Sequence, residues 1–80
     1  MTPEQAFGRV LRQLRQSRRL SQEALGFESG YHRTYIGLLE RGEKSPSLRT
    51  VFCLAKALKT RPAEMVELAE SLVSRAGRKP

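Results

Sequence analysis

The chain has 80 residues and a formal charge of +7, with fifteen Lys and Arg against eight Glu and no Asp. That length holds one domain, which buries roughly 60% of its unfolded surface and so gains from a partner subunit. The basic excess suits a polyanion, the lone Cys53 excludes an internal disulfide, and no signal peptide or membrane-length apolar run appears, which predicts a cytoplasmic chain with no membrane partner.

Periodicity predicts five helices and no strand, an all-α fold. Thr2 caps the first helix, with Pro3 at its first position and Gln5 placed to close a capping box. Phe7, Val10, Leu11 and Leu14 then recur at helical spacing and form its buried stripe, leaving Arg9 and Arg12 outward, and the helix ends near Arg18. Ser21 caps a second helix over residues 22–28. Tyr31 or His32 opens a third over residues 33–41. Ser47 caps the fourth, whose stripe is Leu48, Val51, Leu54, Ala55 and Leu58, with Cys53 as a small buried filler. Pro62 starts the fifth, with Met65, Val66, Ala69, Leu72 and Val73 along one face. The domain is expected over residues 1–76, followed by a basic tail at 77–80.

The second and third helices carry the most specific signal. Leu25, Ile36 and Leu39 are spaced to meet under a helix crossing, Gly26 permits a close approach there, and Gly30 can take the positive φ of a short turn. In register, these residues spell a helix-turn-helix, which points to DNA. At 100° per residue, Tyr35, Ile36 and Leu39 fall on one side of the third helix, and Arg33, Thr34, Gly37, Leu38 and Arg41 on the other. Arg33 can pair with guanine O6 and N7, Thr34 can bond a base edge or a phosphate, Leu38 can lie against a thymine methyl, and Gly37 permits close backbone approach. Arg18 and Arg19 are expected beside phosphates.

Over about residues 7–68 the chain resembles the Cro/C1-type, or Xre, family of prokaryotic and phage regulators. LRQLRQSRRLSQEAL, HRTYIGLLERGEKSPSL and ALKTRPAEM carry the resemblance, and HRTYIG followed by ERGEK is most similar to the controller proteins of restriction-modification systems. The resemblance implies a compact five-helix lambda-repressor-like domain. It also implies that Arg33, Thr34, Tyr35 and Leu38 read bases, while Gln22, His32, Arg41 and Lys44 hold the DNA backbone. Arg15 and Glu40 match an ion pair tying the first helix to the third, a structural role. Phe27 stands where the family carries a polar residue, which implies an exposed aromatic. Arg61 stands where Ser or Thr caps the fifth helix.

The apolar face of the fifth helix, Met65, Val66, Ala69, Leu72 and Val73, is larger than a terminal helix needs and is expected to form the seam of a homodimer. Two recognition helices about 34–36 Å apart would then read an inverted repeat in double-stranded DNA. One His, one Cys and no Asp assemble no metal-ligand set, and no nucleophile-base pair or Gly-rich phosphate loop is present, so no catalytic residue, cofactor or metal is expected. The alternative is an antitoxin-type protein that binds a partner toxin and its own promoter.

Overall fold

Thr2 opens helix α1 (Pro3–Ser17) with both halves of a capping box, its hydroxyl accepting from the Gln5 amide and the Gln5 side chain accepting from the Thr2 amide. The same device, a short oxygen-bearing side chain bonded to the N–H three residues on, starts α2 (Gln22–Ser29) from Ser21 and α4 (Leu48–Ala57) from Ser47. His32 caps α3 (Arg33–Glu40) through Nδ1. Helix α5 (Pro62–Ala76) lacks a side-chain cap, because Arg61 occupies the capping position and the Thr60 hydroxyl donates instead to Glu64 at 2.7 Å. In this computed structural model residues 1–77 are described, and they contain no strand. Of the tail expected at 77–80, only Gly77 is among them, as the residue that ends α5; the other three positions lie outside the described residues.

Two turns show how the chain reverses. Gly30 ends α2 in the left-handed region, φ 86°, and its N–H and that of Tyr31 both bond back to the Gly26 carbonyl. Helices α1 and α4 stop in the same way at Arg19, φ 57°, and Lys59, φ 55°, where a side chain bears the strain a glycine would avoid. Helix α1 lies against α3 and α5, α2 against α3 and α4, and α4 against α5. At the α1–α3 crossing a Cβ on Gly8 would collide with the carbonyl oxygens of Leu39 and Glu40, a close approach that periodicity did not reveal.

The core gathers Phe7, Val10 and Leu11 from α1, Leu25 from α2, Ile36 and Leu39 from α3, Leu54 from α4 with Leu58 at its C-terminal cap, and Met65 from α5. Three expectations need correction. Leu48, read as part of the α4 stripe, is 74% exposed, at an open cleft between α4 and α5 rather than in the core. Met65, read as a dimer residue, is wholly buried where α5 packs across the bundle, and Ala69 one turn on is nearly so. Met65 cannot face a partner, because the monomer already uses it, whereas Ala69 also lines an open cleft beside Val66 and Val73. Leu72 and Val73 are half-buried against the same core, which leaves Val66 as the one exposed member of the set. Cys53 is half-buried rather than enclosed. No helix among the described residues is long and apolar enough to cross a membrane.

Candidate nucleic-acid interface

Helix α3 is divided as its pattern requires. Ile36 and Leu39 are fully buried, and Arg33, Thr34 and Arg41 are exposed, with Leu38 half-buried between them. Tyr35 is half-buried against the core, its ring 5.2 Å from that of Tyr31. Tyr31 in turn bonds Thr50 at 3.0 Å, and Thr50 bonds the Ser47 hydroxyl at 2.9 Å. This chain of hydroxyls ties the turn before α3 to the start of α4, so the exposed flank is presented on a braced element. Thr50 is buried, and no buried side-chain polar atom among the described residues lacks a partner.

The helix starts supply donors to the same flank. His32 Nδ1 accepts from the Thr34 N–H at 3.0 Å, so in this tautomer the ring proton sits on Nε2 and points away from the cap. Gln22, the first residue of α2, reaches across to α3: its Nε2 lies 3.0 Å from Glu40 Oε1. Gly37, on the open flank by helical period, is buried. The side chains of Gln22 and Arg41 fold over it, and a Cβ there would stand 3.2 Å from Arg41 Nη1 and 3.5 Å from Gln22 Oε1. The bare backbone at Gly37 thus makes room for two polar side chains of the protein itself.

Arg15 and Glu40 meet where α1 crosses α3. Nε and Nη2 of Arg15 donate to the two carboxylate oxygens of Glu40 at 2.6 and 3.0 Å, and Nη1 donates to the Leu20 carbonyl at 2.8 Å. The side chains are 11% and 4% exposed. The bidentate bond to Glu40 raises the Arg15 pKa above its ordinary value against the opposing cost of burial, so the guanidinium stays charged.

Two exposed cations hold carboxylates of their own: Arg33 Nη1 lies 3.6 Å from Glu23, and Arg41 Nε lies 2.7 Å from Glu43. Ten residues separate Glu23 from Arg33, and only the crossing of α2 on α3 brings them together, so the pairing carried no sequence signal. Exposed pairs of this kind are worth about 0–1 kcal/mol and exchange readily for a phosphate or a base edge. Arg18 and Arg19 are exposed at the turn into α2, and Lys44 is exposed in the loop after α3. Phe27 stands 89% exposed on α2, in a shallow cleft that it shares with Glu23, Tyr31, His32 and Arg33.

A second surface, away from these donors, is apolar. Leu48, Phe52 and Val66 are more than half exposed, and with Val51, Pro62 and Ala63 they floor a cleft between α4 and α5 rimmed by Arg61, Glu67 and Glu70. Phe52 was absent from every expected stripe, although it lies one helical turn after Leu48.

Residues 6–68 match a helix-turn-helix domain family. The chain is 42% identical over 62 residues to the control protein C.BamHI of Bacillus amyloliquefaciens, covering 76% of each chain. It is 52% identical over 50 residues to the control protein C.SmaI of Serratia marcescens, covering 62% of this chain and 60% of that one. Among solved structures, the restriction-modification controller protein C.AhdI of Aeromonas hydrophila superposes with a TM-score of 0.75 at 46% identity, over 76% of this chain and 92% of its own.

Proposed function

Because this chain belongs to the helix-turn-helix regulator family that includes the restriction-modification controller proteins, we propose that it is a cytoplasmic, autoregulating controller that binds an inverted-repeat operator as a homodimer. The exposed flank of α3 carries the proposal: Arg33, Thr34 and Leu38 project from a helix whose other side is locked by Ile36 and Leu39. Arg33 leaves Glu23 for a guanine edge, Thr34 bonds a base or a phosphate, Leu38 covers a thymine methyl, and Tyr35 supports the helix from its inner side. Gln22, the His32 Nε2–H, Arg41, Lys44, Arg18 and Arg19 hold phosphates and set the register. No step in this scheme is catalytic, and no cofactor or metal enters it.

The Leu48, Phe52 and Val66 surface supplies the dimer seam, with Val73 beside it. An apolar floor with a charged rim is the anatomy of an interface, and covering it supplies burial that an 80-residue chain lacks alone. Two copies then set their α3 helices about 34–36 Å apart, in successive major grooves on one face of the duplex.

Selection of bound duplexes from a random pool tests the proposal and returns the half-site with its spacing. Arg33→Ala loses about 1–3 kcal/mol on the selected site and flattens the preference at one base pair of each half. With six to ten phosphates neutralised, affinity falls by roughly 10³–10⁵ between 50 and 200 mM salt. Equal loss on selected and random DNA removes Arg33 from base reading, and no saturable complex at low ionic strength overturns the proposal.

A further inference from the structure

We infer that Glu40 is a positioning residue for the Gln22 amide, so that the buried Arg15–Glu40 pair serves DNA binding as well as the core; the inference rests on the DNA reading above. One carboxylate oxygen, Oε1 of Glu40, accepts from both Arg15 Nη2 and Gln22 Nε2, each at 3.0 Å. An ionised carboxylate only accepts, so the glutamine must turn its nitrogen toward Glu40. This spends one amide N–H and leaves the second without a protein partner among the described residues, on a side chain that is still partly exposed. The rotamer freedom that a loose surface glutamine surrenders on gripping a phosphate is already given up in the fold.

Arg15 makes this arrangement compatible with a polyanion. A carboxylate beside a phosphate-gripping group would repel the phosphate, but the guanidinium fork neutralises Glu40 on both oxygens. Arg15 Nη1 also holds the Leu20 carbonyl, two residues before Gln22, and so steadies the approach to α2 from below. Above, the missing Cβ of Gly37 opens the space in which the Gln22 amide and the Arg41 guanidinium converge. Core ion pair and glutamine thus form one polar chain leading from the α1–α3 crossing toward the surface, where Arg41 lies beside it over Gly37.

Side-chain amide relaxation in the DNA-free protein reads the positioning directly. The Gln22 amide is expected to be markedly more ordered than those of Gln13 and Gln16, which are exposed on α1. Equal mobility of all three overturns the inference without any substitution that endangers the fold. In DNA titrations Gln22→Ala weakens binding to selected and random duplexes alike, by roughly two- to tenfold. Glu40→Gln, assayed where circular dichroism shows a folded chain, gives a similar loss alone and none when added to Gln22→Ala. Losses that multiply in the double variant overturn the role of Glu40. If the unmodified protein saturates no duplex, the DNA reading fails and this inference with it; failure confined to the variants removes this inference alone.

Discussion

The α1–α3 side of the bundle and its α4–α5 flank solve the same problem differently. Where α1 crosses α3, polar groups are buried and every one is paired: Arg15 uses three of its donors and Glu40 both of its oxygens. At the flank, large apolar side chains stand in water, with Leu48, Phe52 and Val66 all more than half exposed, and α5 begins without a side-chain cap. The first side is complete within one chain and braces α3, the helix that the proposed function turns toward DNA. The second is left incomplete, and under the proposed function a second copy completes it.

Substitutions at each side sharpen the contrast. The largest effect falls on the completed side: Leu39→Ala removes a fully buried side chain beneath the helix crossing, and chemical denaturation is expected to show a loss of about 2–5 kcal/mol. At the flank, Phe52→Glu places a charge on the cleft floor. Sedimentation is expected to shift from dimer to monomer and operator binding to weaken by more than about tenfold, while the monomer stays folded because Phe52 lies outside the core cluster. A dimer that survives this change puts the seam elsewhere and erases the contrast.

Smaller changes run in the stabilising direction. Gly37→Ala gains helix propensity of up to about 1 kcal/mol, since its Cβ crowds only the flexible end of Arg41, at 3.2 Å, and meets the Gln22 amide at ordinary contact distance, and thermal melting is expected to rise. The displaced Arg41 then weakens DNA binding, which separates stability from function at one position. Arg61→Asp gives α5 the cap it lacks and is worth about 0.5–1 kcal/mol by the same measurement, with DNA affinity changed only through the dimer. A gain at Arg61 as large as the loss at Leu39 would contradict the ranking of the two sides.

Much of this molecule follows from interactions within four residues along the chain. The capping box at Thr2, the serine caps, the left-handed Gly30 and the split of α3 into Ile36 and Leu39 against Arg33 and Thr34 all arise from local hydrogen bonding and helical period, and they appear in the structure as the residues dictate. Composition alone rules out an internal disulfide. The matches to control proteins agree with the motif resemblance, and the match to a family over residues 6–68 spans the same stretch.

Helix crossings set the remainder. Period placed Leu48 and Met65 on stripes without indicating which neighbour covers them, and the packing of α5 across the bundle buries the second while leaving the first in water. The same crossings bring Glu23 to Arg33 and Gln22 to Glu40, pairs ten and eighteen residues apart, and close Gly37 beneath two side chains. Backbone and period encode each helix as a local object, since their forces act over one turn. The company each face keeps depends on how five such objects share one core, and no single stretch of residues contains that information.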